Sequence, residues 1–199
     1  NKTIWLLAIA YVFVYIIRFG AEDWMIMYLK NAKNIELGEA TNMIASLPLV
    51  GICGTVCAGL ISDKLFKGKR APVNLIYLIG VILTIIALKF NTINSLNYVI
   101  IGLMGAFTYG PQMMIGGLCA VESSSKKVAS AATGFPGTFG YIGAVLSSTG
   151  TGFMVDKFGW NGDIVFWVIS AVICIGICTL LLLDEKTKKQ KSAKHKTNV

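Results

Sequence analysis

The chain has 199 residues, 55% hydrophobic and 14% charged, with 21 glycines, a mean hydropathy of +0.68 and a formal net charge of +8. Soluble globular domains are less apolar and carry nearly twice that share of charge, so the composition places the chain in a membrane. The positive balance would also suit nucleic acid, but the basic residues fall in loops and at the end of the chain and form no basic globular face, which excludes that class.

Six apolar runs are expected to cross a hydrocarbon core about 30 Å thick, at residues 4–29, 40–62, 73–90, 96–121, 128–155 and 162–183. They are continuous, whereas β-barrel strands would alternate over about ten residues, so the reading is an all-α membrane protein. The first run contains Arg18. The second carries Gly51, Thr55 and Gly59 at four-residue steps and is followed by GLISDKLFKGKR. The third is uninterrupted, and the fourth contains Tyr109-Gly110-Pro111-Gln112. The fifth contains Thr133-Gly134-Phe135-Pro136-Gly137 and a series of small residues, Gly134, Gly137, Gly140, Gly143, Ser147 and Thr151. Such spacing lets helix backbones approach closely and predicts an interior helix. Arg18 and the two Pro-containing stretches read as breaks in the spans that face protein or water. After the sixth run the chain turns polar and basic, so residues 1–185 are expected to form the membrane bundle and 186–199 a disordered cytoplasmic tail.

The loops assign orientation. If the spans alternate, Lys2, Lys64, Lys67, Lys69, Arg70, Lys126, Lys127 and six lysines from Lys186 to Lys196 share one side, against Lys30, Lys33, Lys89 and Lys157 on the other. An excess of cations marks the cytoplasmic face, so both termini are expected there. The five cysteines lie in apolar runs and read as small packing residues, and the one histidine, His195, lies in the tail, so neither metal nor cofactor is expected. The start at Asn1 has no signal-peptide pattern and suggests a segment of something longer.

Arg18 is the costliest residue in the chain. Taking the first span as Trp5 to Leu29, about 16 to 20 Å of helix separates it from either surface, too far for easy snorkelling. A central arginine costs about 2.5 to 3.5 kcal/mol on insertion scales. A bound anion in a water-filled cavity offsets that, because the guanidinium fork donates paired hydrogen bonds to phosphate or carboxylate oxygens. A structural ion pair with Glu22, four residues on, is the alternative, weakened by Glu22 standing nearer the outer surface. Tyr11 and Tyr15 precede Arg18 by seven and three residues and share its helical face.

VFVYIIRFGAEDW, ISDKLFKGKR, YGPQMMIG, SKKVASAATGFPGTFGYIGA and VDKFGWNG, in this order from about Trp5 to Glu185, resemble the carboxy-terminal half of the organophosphate:phosphate antiporters of the major facilitator superfamily. The resemblance implies six helices, the seventh to twelfth of such a transporter, arranged as two inverted three-helix repeats, with the amino-terminal half of the same transporter as partner. It implies that Arg18 grips the substrate phosphate and that Tyr15, Tyr109 and Tyr141 line the cavity, with Tyr11 where the glycerol-3-phosphate type has asparagine. It also implies that Gly59, Asp63, Lys64, Gly68 and Arg70 form a cytoplasmic loop motif that tunes the inward and outward states. Leu47-Pro48-Leu49 stand where relatives keep an acidic residue. Thr133 and Pro136 stand where hexose-phosphate carriers have aspartate and lysine, which leans away from that branch and toward glycerol 3-phosphate or a sensor-type relative. The function implied is exchange of an organophosphate for inorganic phosphate by alternating access, in a bacterial inner membrane. A sugar-phosphate sensor is the alternative, and an inactive six-helix scaffold a third. No nucleophile with an adjacent base and no phosphate loop is present, so a carrier is expected and not an enzyme.

Overall fold

The computed structural model describes residues 2–124 and 128–197, with side chains as far as Asp184. Among the described residues eight α-helices follow one another: α1 Lys2–Phe19, α2 Met25–Lys33, α3 Leu37–Lys64, α4 Arg70–Phe90, α5 Asn94–Met113, α6 Cys119–Glu122, α7 Ala129–Phe158 and α8 Trp160–Thr197. Helices are the form in which long apolar segments satisfy their own backbone hydrogen bonds within lipid. Two π-helical turns join pairs of them without interrupting the path, Gly20–Trp24 between α1 and α2 and Met114–Leu118 between α5 and α6.

Five segments among the described residues are long and apolar enough to cross a membrane: Lys2–Lys33, Leu37–Lys64, Arg70–Phe90, Asn94–Glu122 and Trp160–Asp184. The remaining run, expected at 128–155, is the 30-residue helix α7, whose many glycines, serines and threonines keep it short of the apolarity the other five reach. The stretches around Pro111 and Pro136 do not break their helices. α5 continues through Pro111 to Met113 and α7 continues through Pro136, as does α3 through Pro48. The backbone of α8 is helical to Thr197, while the side chains of the expected tail, His195 among them, lie outside the described residues, as do Lys126 and Lys127.

Short connections set the helix order in space. Asn34 ends α2 in the left-handed conformation at φ 55°, and Gly159 turns α7 into α8 at φ 67°. The main packing pairs are α3 with α5 and α1 with α7, with α8 laid across α1 and α4. Both main pairs close on glycine. A Cβ on Gly105 would stand 2.0 Å from the Leu47 carbonyl oxygen, and one on Gly143 would stand 2.3 Å from that of Val12. Beside Gly143, the Ser147 hydroxyl donates to the Ile16 carbonyl oxygen at 2.8 Å. The core between these pairs is filled by Ile17, Met25, Leu29, Met43, Met104 and Trp167, each under 2% exposed.

The small residues do not make α7 an interior helix in this chain. Gly140, Gly143, Ser147 and Thr151 form a buried stripe, but Gly134 and Gly137 meet open space, and Tyr141, Val145 and Phe153 are 68%, 67% and 58% exposed. One stripe of small residues brings one neighbour close and leaves the other faces free. The cysteines divide likewise: Cys174 and Cys178 are buried, whereas Cys53 and Cys57 lie exposed on α3 and do not pack.

Candidate functional site

Arg18 lies in the last turn of α1, two residues before the π-helical turn Gly20–Trp24. Its Nε donates to Glu22 Oε1 at 3.0 Å, and the Tyr109 hydroxyl donates to that same oxygen at 2.5 Å. Three rings surround the guanidinium, whose central carbon lies 5.0 Å from the ring centroid of Tyr109, 5.2 Å from that of Phe19 and 5.9 Å from that of Tyr15. Faces of aromatic rings attract a cation, so the rings offset part of what Arg18 lost on leaving water.

The pair with Glu22 forms although Glu22 lies one turn nearer the C-terminal end of the segment Lys2–Lys33. Side chains on a helix lean toward its N-terminus, so the carboxylate reaches back over that turn to Arg18. The two side chains are 22% and 24% exposed, and the contact runs through Nε, not through the paired Nη atoms that a bidentate oxyanion takes. An oxyanion approaching the fork therefore competes with a single-point contact.

The tyrosines expected near Arg18 gather around it unequally. The Tyr11 and Tyr15 hydroxyls are 3.4 Å apart and their rings 4.6 Å apart, and both residues are buried. Tyr109 comes from α5 to close the other side of the guanidinium. Tyr141 stands at the edge, with its ring 6.1 Å from that of Tyr15. A cavity of about 430 Å³, wide open on one side, lies beside the group, lined by Tyr11, Thr55, Tyr109, Gln112, Gly116 and Gly117 among others, with Arg18 behind Tyr109 and not in its lining. That volume is in the range of small-molecule sites. Glu22 and Tyr109 belong to one hydrogen-bonded unit with Arg18, yet they are 87 residues apart in sequence, so only the i,i+4 half of the unit is legible there.

The loop motif builds a second polar cluster where α3, α4 and α6 end or begin. Arg70 Nη1 contacts Asp63 Oδ1 at 2.6 Å, and its Nη2 and Nε contact Glu122 Oε1 at 3.1 and 3.2 Å. Lys67 and Gly68 carry the chain through the turn at φ 52° and 78°, and the Gly68 N–H donates to the Ser62 carbonyl oxygen at 2.9 Å. This turn delivers Arg70 back to Asp63. Gly59 faces open space and Lys64 points outward, so of the motif's five residues the ion-pair cluster uses Asp63 and Arg70, with Gly68 shaping the turn. Glu122 completes it from 52 residues away, and no local pattern announces it.

An arginine midway along a membrane-length helix, set among the rings of Tyr15, Phe19 and Tyr109, and an ion-pair cluster of Arg70 with Asp63 and Glu122 are two polar centres that the fold builds from its described residues. The chain belongs to the Major Facilitator Superfamily, which it matches over residues 7–198. Among curated proteins it is 40% identical to the membrane sensor protein UhpC of Escherichia coli, over 92% of this chain and 41% of that protein. It is 34% identical to a probable hexose phosphate transport protein of Chlamydia pneumoniae over 98% of this chain and 43% of that protein. It is 35% identical to the glycerol-3-phosphate transporter of Bacillus subtilis over 88% of this chain and 40% of that protein. These relatives agree with the organophosphate:phosphate antiporter resemblance of the sequence motifs, and the chain spans about two fifths of their length.

Proposed function

We propose that this chain is the carboxy-terminal half of a secondary transporter that exchanges an organophosphate, glycerol 3-phosphate or a hexose phosphate, for inorganic phosphate by alternating access. In this reading α7 is the sixth span, both ends of the chain face the cytoplasm of a bacterial inner membrane, and an amino-terminal six-helix half closes over the exposed faces of α3 and α7. Inorganic phosphate and the phosphoryl group of the ester compete for the Arg18 fork. Tyr15, Tyr109, Tyr11 and Tyr141 shape the cavity around them. Asp63, Arg70 and Glu122 hold the cytoplasmic helix ends in one of the two states, and rearrange in the other.

The observation that carries the reading is Arg18 itself, a guanidinium midway along a membrane-length helix, set among the rings of Tyr15, Phe19 and Tyr109 and held at one nitrogen by Glu22. The internal repeat is supported by symmetric packing: α1 pairs with α7 and α8 as α5 pairs with α3 and α4. The two helices this relation exchanges, α1 and α5, each run into a π-helical turn. The relatives named for phosphate-ester transport support the substrate class.

The sensor relative favours a second reading, in which the same site binds a sugar phosphate and signals. Exchange of labelled phosphate in proteoliposomes containing the full-length protein separates the two. Trans-stimulated flux that Arg18→Ala abolishes is the result expected of the antiporter. Saturable binding without flux would replace it with the sensor.

A further inference from the structure

The repeat relation that pairs α1 with α5 also pairs residues. Arg18 stands two residues before the π-helical turn Gly20–Trp24, and Gln112 stands two residues before the π-helical turn Met114–Leu118. Three residues earlier in each case is a tyrosine, Tyr15 in one helix and Tyr109 in the other. Tyr-x-x-Arg and Tyr-x-x-Gln therefore occupy equivalent registers of two helices that meet at the same cavity. The equivalent positions differ in chemistry, one a permanent cation and the other a neutral amide.

Gln112 lines the 430 Å³ cavity with Tyr11, Thr55 and Tyr109. Its Oε1 is buried without a hydrogen-bond partner among the described residues. Buried polar atoms are nearly always hydrogen-bonded, and the Tyr11 side chain, which shares this cavity wall, interacts with the Gln112 amide, so the acceptor is completed by Tyr11 or by a donor that enters the cavity. The residue as a whole is half-buried at the cavity wall, and its terminal amide turns about a broad χ3 torsion, so that its carbonyl and amino ends can exchange places. A carbonyl oxygen only accepts hydrogen bonds. A fully ionised phosphate group has no proton to offer it, whereas a hydroxyl does.

We infer that Gln112 is a specificity-determining residue that accepts a hydrogen bond from a hydroxyl of the substrate's organic part, while its counterpart Arg18 holds the phosphate. The proposal rests on the transport reading above and assigns the site a hydroxylated phosphate ester. It makes the two repeat-related positions a divided grip: charge recognition from the first repeat and hydroxyl recognition from the second.

The test is a cycle between protein and substrate. Full-length protein in proteoliposomes is assayed for uptake of glycerol 3-phosphate, glucose 6-phosphate and propyl phosphate, an ester without hydroxyls, as wild type, Gln112→Leu and Gln112→Met. A neutral hydrogen bond of about 0.5 to 1.5 kcal/mol corresponds to a preference in KM of about two- to tenfold. Wild type should prefer a hydroxylated ester over propyl phosphate by that factor, and both variants should lose the preference through KM, with kcat little altered. Selectivity between two substrates of one preparation does not depend on how much of it is folded, so a structural role would leave the preference in place. A preference retained in both variants overturns the assignment, provided phosphate exchange is present and requires Arg18. Absence of phosphate exchange in the wild type overturns the transport reading and this one with it.

Discussion

Replacing Glu22 by glutamine gives the sharpest expectation about the site. Glu22 Oε1 holds Arg18 Nε at 3.0 Å and the Tyr109 hydroxyl at 2.5 Å, with the two charged side chains about three quarters covered. Glutamine keeps a carbonyl oxygen that can accept both bonds and removes only the charge. Charge-assisted hydrogen bonds contribute about 1.5 to 3 kcal/mol against about 0.5 to 1.5 for neutral ones, so the contact holding Arg18 weakens by about 1 to 1.5 kcal/mol. A substrate phosphate that must displace Glu22 from the guanidinium gains that difference, and its affinity should rise about five- to tenfold. Equilibrium binding of labelled phosphate to the full-length protein in detergent reads the affinity, and the half-saturating phosphate concentration in exchange reads it again in proteoliposomes. Weaker phosphate binding in Glu22→Gln would refute the competition and show that the carboxylate positions Arg18 for the substrate.

Arg18→Lys keeps the positive charge but not the planar fork, and should cut phosphate exchange at least a hundredfold. Wild-type exchange in that variant would remove Arg18 from the site. Asp63→Asn loosens a contact that Arg70 makes at 2.6 Å in an exposed cluster, and should slow turnover several-fold while phosphate affinity stays within about twofold, as measured by exchange rates and binding on one preparation. An unchanged turnover would leave the latch without a role. Gly105→Ala puts a methyl 2.0 Å from the Leu47 carbonyl oxygen, where backbone and not a flexible side chain must give way. Overpacking of this kind costs about 1 to 3 kcal/mol, so the full-length protein should melt several degrees lower in detergent, and an unshifted transition would show that α3 and α5 separate freely.

What the sequence determined alone are the features whose energy is local. Continuous apolar runs must be helical in lipid because each backbone group needs a partner within its own segment, and the described residues are helical accordingly. Arg18 stood out because an arginine midway along such a run is costly whatever surrounds it. The i,i+4 contact with Glu22 was legible as an alternative because it lies within one helix turn, but its strength as a shared acceptor was not, since Tyr109 reaches Glu22 from α5. The tertiary structure decided the rest. Which faces of α7 are covered depends on where α1 runs, so the same series of small residues that suggested an interior helix yields one buried stripe. Arg70 finds Glu122, and Gln112 comes to share a cavity wall with Tyr11, only when α4, α5 and α6 are set beside their neighbours. The physical reason is range: hydropathy and helix periodicity act within a segment, whereas a hydrogen bond a few ångströms long between distant segments depends on the register and approach of whole helices, here set by Gly105 and Gly143 at their crossing points.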